Sequence, residues 1–435
     1  MYYFIGIKGA GMSALACIMH DIGYEVMGSD LAKHFFTEEE LKVRNIKMLE
    51  YNKDNITKDL IIIKGASIKD DHEELIRAKE LNLPIYDYDK MVGILTRKYK
   101  TICICGCHGK TTTTAMMVKA LNPILGLNYL IGDGTGSASK DNEYFALESC
   151  EYKRHFLSYF PYYTVVTNID LDHVDYFKDI DDVISAYNEF VNKTKKMIIA
   201  CGDDSNVLKM KVNKPIKYFG INDNNDIKAI NINYKEDGIS FDVLVDGNLY
   251  GHFDLPLYGK HQLLDALAVI AICFYEGIDS KLVINNLQDF EGAKRRFSQT
   301  IVGDNVIIDD YAHHSNEVKA TLEAVSQKYP KKDIVVIFQP HTFSRTKQIK
   351  DDLIEIFKNV KAAYILDIHS AREKQDDYKD ITSNIIIDKL SNAYHINLDE
   401  ADILTNYHNT VFVFMSPNDI SKLEDDLINK LKEKK

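Results

Sequence analysis

The chain has 435 residues, which is too long for one hydrophobic core and predicts two to four domains. Apolar residues make up 45 % and charged residues 27 %, a composition typical of soluble globular proteins that argues against disorder. The net charge of −12, together with the lack of a basic stripe, argues against nucleic acid as a partner.

Cysteine usage and hydropathy predict a cytoplasmic location. The seven cysteines are odd in number and scattered, which indicates reduced thiols rather than a disulfide framework. No run of about eighteen apolar residues occurs, so no membrane span is predicted. The apolar N-terminus has no basic segment before it, and three glycines interrupt it, so we interpret it as strand, loop and helix rather than a signal peptide.

Short apolar runs alternate with amphipathic helical patterns such as 181–194 and 315–328, which predicts α/β domains with mainly parallel sheets. Period-two alternation with Asp-Gly turns at 227–257 predicts a small antiparallel insert. Composition changes near 96–100 and 294–297 predict domains at 1–97, 98–296 and 297–435. The predicted strands are 2–7, 60–66, 101–106, 163–169, 197–202, 306–312, 333–340, 362–368 and 411–416.

The first motif, IGIKGAGMSA at 5–14, joins a strand to a helix. Gly9, Gly11 and Ala14 fit the spacing of a dinucleotide-type loop, and Asp30 after the next strand could hold a ribose. A helix N-terminus binds any diphosphate, so both a nicotinamide dinucleotide and a UDP-sugar stay open. The alternative without a ligand is a tight strand–helix turn.

The second motif, GCHGKTT at 106–112, follows a buried-type strand and opens a helix, which is the context of a phosphate loop. Lys110 would reach the β- and γ-phosphates, and the Thr111 hydroxyl would ligate Mg²⁺. The loop is two residues shorter than the usual pattern. The cysteines at 103, 105 and 107 are two apart, a spacing that argues against zinc.

Two further polar groups follow predicted strands. Glu148 and the segment 167–177, TNIDLDHVDYF, could supply a carboxylate and an imidazole to a nucleotide–Mg²⁺ site, although single groups of this kind are often solvated surface residues. DDYAHH at 309–314 and QPHTFSRT at 339–346 predict a polar cleft in the last domain. Helix caps and surface histidines are the alternative there.

Taken together and in this order, the motifs resemble the Mur ligases over essentially the whole chain. The resemblance implies a Rossmann-like UDP-sugar domain, a central ATPase domain and a Rossmann-like C-terminal domain that closes over the active site. The motif sequences are similar to those of the branch that joins L-alanine to the lactyl carboxylate of UDP-N-acetylmuramate. That reaction passes through an acyl phosphate, uses ATP and Mg²⁺, and belongs to peptidoglycan precursor synthesis. A monomer or a homodimer would be expected. The motifs are GCHGKTTTTAM, LIGDGTGS, EYKRHFLSYFP, TNIDLDHVDYF, KRRF, DDYAHH and FQPHTFSRT.

The resemblance also implies roles for individual residues. The groups implied in catalysis are Lys110, His173, Tyr311, His313, His341 and Arg345. Those implied in ATP binding are Gly106, Cys107, His108, Gly109, Lys110, Thr111, Thr112, Arg295 or Arg296, and Asp310. Those implied in UDP-sugar binding are Gly9, Gly11, Met12, Ser13 and Asp30, and the implied Mg²⁺ ligands are Thr111, Glu148 and His173.

The chain departs from the family pattern at several places. Cys150 replaces an acid in the E-A-D-E motif, and Gln262 and Asp265 replace asparagines of the adenine pocket. A sister ligase adding another amino acid or a peptide, a nicotinamide-dependent oxidoreductase and a non-catalytic scaffold therefore stay open. A low-pKa thiol at a helix N-terminus would make Cys107 sensitive to thiol reagents, and the sequence leaves this open.

Overall fold

The computed structural model describes residues 1–371 and 373–433 and contains three sheets in succession along the chain. The predicted α/β class with mainly parallel sheets is confirmed, and all nine predicted strands are present. No helix among the described residues is long and apolar enough to cross a membrane. The predicted domain boundaries at 97/98 and 296/297 lie between the sheets and stay predictions.

The first sheet is fully parallel with strand order 3-2-1-4-5, the arrangement of a Rossmann-like unit. Its first strand is central and buried, so the glycine loop that follows opens at the carboxyl edge of the sheet. The strands are β1 Tyr2–Ile5, β2 Val26–Asp30, β3 Lys47–Glu50, β4 Ile61–Lys64 and β5 Ile85–Asp87. The helices are α1 Ala10–Asp21, α2 Glu38–Val43, α3 Glu73–Glu80 and α4 Tyr88–Thr96.

The second sheet has ten strands in the order 15-14-13-12-11-10-6-9-7-8. The strands are β6 Lys100–Cys105, β7 Leu127–Leu130, β8 Gly136–Ser137, β9 Tyr144–Glu148, β10 Tyr163–Val166, β11 Met197–Cys201, β12 Ile216–Gly220, β13 Ile227–Lys235, β14 Gly238–Val245 and β15 Asn248–Leu255. The helices are α5 Lys110–Leu125, α6 Ile180–Val191, α7 Gly259–Tyr275 and α8 Ser280–Leu287. Strands β13 to β15 pair antiparallel, which confirms the predicted insert.

The third sheet has six strands in the order 16-17-21-18-19-20, and only its edge strand β16 runs antiparallel. The strands are β16 Ser298–Val302, β17 Asn305–Asp310, β18 Asp333–Phe338, β19 Ala362–Ile365, β20 Ala393–His395 and β21 Thr410–Met415. The helices are α9 Ser315–Lys328, α10 Phe343–Phe357, α11 Asn384–Ile387 and α12 Ser421–Glu433.

The N-terminal unit packs directly on the central one. One hydrophobic cluster contains side chains of α1 together with β6 and β9, so the two units share a core. Arg44, which is paired with Asp21 of its own unit, links the two by a hydrogen bond to the carbonyl of Gly136. The shared core predicts that the first two units behave as one body.

The contact between Gly136 and α1 leaves no space for a side chain. A Cβ at Gly136 would lie 2.5 Å from the carbonyl oxygen of Ala14, so Gly136→Ala has to displace α1. We expect a loss of about 1–3 kcal/mol of stability, measured as a lower Tm in calorimetry. Gly65→Ala is the matched control, since its Cβ would come no closer than 3.5 Å to other atoms. Equal Tm values for the two variants would contradict this packing.

Candidate active site

The phosphate-type loop lies between β6 and α5, and two glycines determine its shape. Gly106 and Gly109 have φ values of 146° and 81°, which favour glycine. A Cβ would lie 1.9 Å from Thr167 Oγ1 at the first position and 2.7 Å from Asp265 Oδ1 at the second. The loop therefore packs closely against Thr167 on one side and Asp265 on the other. The first N–H groups of α5, which follow the loop, have no intrahelical acceptor.

The loop is also fixed by the segment that follows β10. The carbonyl oxygen of His108 accepts hydrogen bonds from Thr167 Oγ1 at 2.6 Å and Asn168 Nδ2 at 2.9 Å. Asn168 Oδ1 in turn accepts the N–H of His108 at 2.9 Å. These bonds hold the loop rigid before any ligand arrives, as an anion-binding loop requires.

Lys110 forms a buried ion pair with Glu151. Its Nζ lies 3.2 Å from Glu151 Oε2 and donates to the loop carbonyls of Gly106 and Cys107. Burial opposes the charge, but the carboxylates of Glu151 and Glu148 outweigh it, so the pKa of Lys110 lies above its usual value. The lysine is held charged at the loop.

Glu151 also faces His173, whose Nε2 lies 3.7 Å from its Oε1. Glu151 Oε1 and His173 Nδ1 are buried without a hydrogen-bond partner among the described residues. Glu148, the acid singled out from the sequence, instead accepts the N–H of Gly132 at 2.8 Å. The structure thus brings Glu151, rather than Glu148, together with Lys110 and His173. Both acids belong to the segment ESCE at 148–151, and the sequence spacing alone does not show which of them is the metal ligand.

Across the cleft, helix α10 contributes Arg345. Its guanidinium donates to Asp172 Oδ1 at 2.7 Å and lies 3.0 Å from His341 Nδ1. The ring of His341 lies 5.8 Å from that of His313. Burial opposes ionisation of Asp172, but Arg345 and His173 outweigh it and hold the pKa of Asp172 well below its usual value. The C-terminal unit therefore meets the Lys110 cluster through Asp172, which the sequence interpretation missed although it lies beside His173.

A cavity of about 530 Å³ opens next to the loop, between the central and C-terminal units. The predicted residues that line it are His108, Gly109, Thr112, Arg296 and Asp310. Gln262 and Asp265, which replace asparagines of the family pattern, also line the cavity. Arg295 is held elsewhere, because its guanidinium binds Asp309 and the carbonyls of Ser416 and Asn418. Of the two arginines, Arg296 is therefore the one at the cavity.

Burial shifts several ionisable groups in the cavity wall. It raises the pKa of Asp265 to about 7 and that of Asp310 to about 6. It also lowers the pKa of His261 to about 4. Asp265 Oδ1 accepts from the Thr113 hydroxyl at 2.9 Å, whereas Oδ2 has no partner among the described residues. Burial in this cavity wall thus favours the neutral forms of Asp265, Asp310 and His261.

In the N-terminal loop the predicted residues act through the backbone. The side chains of Met12 and Ser13 are buried, and the N–H of Ser13 donates to the carbonyl oxygen of Gly9 at 2.8 Å. A Cβ at Gly11 would lie 2.7 Å from the hydroxyl of Tyr88, whereas Gly9 begins the helix without a close neighbour. Tyr88 was missed in the sequence because nothing there places it against the loop.

Asp30 is engaged within its own unit. Its Oδ2 accepts the N–H of Lys8 at 2.8 Å, and its Oδ1 accepts the N–H of Leu31 at 2.8 Å and the Tyr51 hydroxyl at 3.3 Å. The Asp30 carboxylate therefore stabilises the glycine loop through its hydrogen bond with the N–H of Lys8.

The structure argues against a reactive Cys107, a point that the sequence leaves open. The thiol is buried, and burial raises its pKa well above the usual value. Its Sγ donates to the carbonyl oxygen of Asp170 at 3.0 Å. Burial likewise raises the pKa of Cys150 to about 12. The helix N-terminus does not lower the pKa of Cys107 because desolvation of the thiolate outweighs it.

Asp265 should make stability depend on pH. A carboxyl whose pKa rises on folding stabilises the protein below its unfolded pKa, and this contribution is lost as the pH rises through about 7. Between pH 4 and 8 the free energy of unfolding should therefore fall relative to Asp265→Asn by up to about 4 kcal/mol, since one pKa unit is about 1.4 kcal/mol. Urea denaturation of both proteins across this range measures the difference. A constant difference would contradict the prediction.

Comparison with known proteins places these features in one family. Three family models match in succession: the Mur ligase family catalytic domain at 1–100, the Mur ligase middle domain at 104–273 and the Mur ligase glutamate ligase domain at 295–411. The fold is similar to that of the UDP-N-acetylmuramate–alanine ligase MurC of Thermotoga maritima, with a TM-score of 0.82, 24 % identity and coverage of 100 % of this chain and 99 % of that chain.

Two further solved structures share the fold. A murein peptide ligase of Psychrobacter arcticus has a TM-score of 0.74 and 20 % identity, covering 99 % of this chain and 98 % of that chain. The MurF ligase of Thermotoga maritima, solved with ADP, has a TM-score of 0.63 and 16 % identity, covering 96 % and 98 %. The three models together span most of the sequence, and the chain belongs to the Mur ligase family of ATP-dependent ligases.

Proposed function

We propose that this ligase joins L-alanine to the lactyl carboxylate of UDP-N-acetylmuramate, through an acyl phosphate, in cytoplasmic peptidoglycan precursor synthesis. The observation that carries the proposal is the meeting of two clusters, Lys110–Glu151–His173 on the central unit and Arg345 with His341 on the C-terminal unit, joined by Asp172. A cleft with cations on both sides suits a reaction between two anionic substrates.

The nucleotide would lie in the cavity beside the loop. Residues 106–112 would hold its phosphates through backbone N–H groups and Lys110, while Arg296 and Asp310 line the part next to the C-terminal unit. Lys110 is already charged and positioned there, so the loop needs little reorganisation to stabilise the charge on a transferring phosphoryl group.

Mg²⁺ would be held by Thr111, Glu151 and His173. The fit rests on Glu151 Oε1, a buried atom without a hydrogen-bond partner among the described residues that faces His173 Nε2 at 3.7 Å. The ion would neutralise phosphate charge. We assign the carboxylate ligand to Glu151 because it faces both Lys110 and His173, whereas Glu148 Oε2 accepts the N–H of Gly132.

The C-terminal unit would bind and orient the amino acid. A carboxylate is a poor electrophile, and phosphorylation supplies the leaving group that the amine displaces. Arg345 offers a planar guanidinium for the carboxylate of the incoming amino acid. Burial lowers the pKa of His313 to about 4, and its Nδ1 lies 3.0 Å from the carbonyl oxygen of Tyr311. The neutral ring would donate through Nδ1 and leave Nε2 as the acceptor for a proton of the attacking amine.

The UDP diphosphate would be bound by the first turn of α1, at Gly9, Gly11, Met12 and Ser13. The N–H groups of Gly11 and Met12, in the first turn of α1, have no intrahelical acceptor, whereas those of Gly9 and Ser13 donate to the carbonyl oxygens of Gly6 and Gly9. Asp30 accepts the N–H of Lys8 and so positions the loop in this proposal. A sister ligase that adds another amino acid or a peptide is the second candidate. Cys150, Gln262 and Asp265 favour a third, a catalytically weakened relative.

The substrate assignment is tested by phosphate release. The protein is incubated with Mg²⁺-ATP and UDP-N-acetylmuramate, and glycine, L-serine, L-alanine and an alanyl peptide are added in turn. We expect L-alanine to give the highest kcat/KM, because its methyl group needs no polar partner. A faster reaction with the peptide or with another amino acid would assign a sister activity, and no turnover with any of them would favour the weakened relative.

The assignment of the metal ligand predicts different effects for two neighbouring acids. Glu151→Gln should lower kcat at least about 100-fold, because it removes the charge that faces both Lys110 and His173. Glu148→Gln is the matched control, and we expect less than about a tenfold effect, since a glutamine oxygen can still accept from Gly132. Phosphate release at several Mg²⁺ concentrations measures both. A larger loss of kcat in Glu148→Gln than in Glu151→Gln would assign the metal ligand to Glu148 instead.

A further inference from the structure

A second group of potential metal ligands lies on the other side of the phosphate loop. His108 from the loop, Asp170 from the segment after β10 and His314 before α9 each offer one ligand atom, and these atoms lie within 4.8 Å of one another. The group contains none of the residues proposed above to hold Mg²⁺. It lies where the central unit meets the C-terminal unit.

One ring nitrogen in this group is not used by a hydrogen bond. Nδ1 of His314 is buried without a hydrogen-bond partner among the described residues, whereas the two nitrogens of His108 face the carboxylates of Asp170 and Glu317. His314 as a whole is only 6 % exposed. Buried imidazole nitrogens left without a partner lose their hydration, so a ligand that coordinates them would offset this cost.

The spacing of one pair in the group, His108 and Asp170, fits a tetrahedral ion. His108 Nε2 lies 3.5 Å from Asp170 Oδ2. This is at the limit for a hydrogen bond, but two ligands of a tetrahedral Zn²⁺ with bonds of about 2.0–2.1 Å are about 3.4 Å apart. The distance thus leaves room for an ion between the two atoms.

Surrounding carboxylate and amide groups orient the ligands in the manner of metal sites. The other ring nitrogen of His108, Nδ1, lies 3.2 Å from Glu317 Oε1. Asp170 Oδ2 accepts from Asn316 Nδ2 at 2.5 Å. A metal-binding histidine commonly pairs its second nitrogen with a carboxylate, which fixes the ring and raises its basicity. Glu317 and Asn316 would provide this support.

We propose that His108, Asp170 and His314 form a binding site for Zn²⁺ or a similar transition-metal ion. Two imidazoles and one carboxylate suit such an ion, whereas Mg²⁺ prefers an all-oxygen set. Three protein ligands leave one position for water or another small ligand. Because the ligands come from the central and C-terminal units, the bound ion ties the two together. This site does not depend on the proposed ligase substrates.

The test measures binding of Zn²⁺ and Co²⁺ alone to the full chain, without nucleotide. We expect Zn²⁺ to bind in calorimetry and to raise the Tm, and Co²⁺ to give the visible absorption of a four-coordinate ion. His314→Gln and Asp170→Asn should each weaken binding by at least about tenfold. His252→Gln is the control, since it changes an exposed histidine paired with Asp242 in the antiparallel insert.

A fourth variant separates this site from the one proposed for Mg²⁺. If His173→Gln abolishes Zn²⁺ binding while His314→Gln and Asp170→Asn retain it, the ion lies at Glu151 and His173, and the proposal is overturned. Absence of binding by the unaltered chain overturns it as well. Should His314→Gln fail to fold, as a low Tm without metal would show, Asp170→Asn decides, because that side chain is partly exposed.

Discussion

The buried ion pair of Lys110 and Glu151 is the interaction on which the arrangement of the site depends. Lys110 opens α5 and Glu151 follows β9, so their contact at 3.2 Å joins the phosphate loop to the end of a neighbouring strand. Removing one partner of such a pair leaves an uncompensated buried charge, which costs about 3–5 kcal/mol. The pair holds Lys110 charged, and it directs the second oxygen of Glu151 toward His173.

Sheet topology explains why these groups meet. Strands β10, β6 and β9 are adjacent and parallel, so their carboxyl ends lie side by side at one edge. The segments that follow them are the phosphate loop, the Glu151 turn and residues 167–173. Segments that are distant in sequence thereby form one polar surface, as expected for ligand sites in parallel sheets. The C-terminal unit closes this surface with Arg345 and His341.

Much of the fold was predictable because buried strands and amphipathic helices leave clear periodic patterns. Strands that the sequence did not reveal are short, exposed or at edges, such as Lys47–Glu50 and Ser298–Val302. The loop at 106–112 was recognisable because its glycines, lysine and threonines are contiguous in the sequence. The choice between Glu148 and Glu151, and the burial of Cys107, depend on partners 16 to 63 residues away, so the local pattern carries no information about them.

The acidic segment after β10 carries contacts between the central and C-terminal units. Asp170 faces His108 and Asn316, while two residues later Asp172 faces Arg345. Closing the units removes these carboxylates from water, and the cost of desolvation offsets most of what the new ion pairs contribute. An equilibrium balanced in this way shifts when a ligand binds one state better than the other. In the proposed reaction, cations or phosphates that bridge the two surfaces would therefore favour the closed arrangement, and chemistry that requires both clusters would follow their binding.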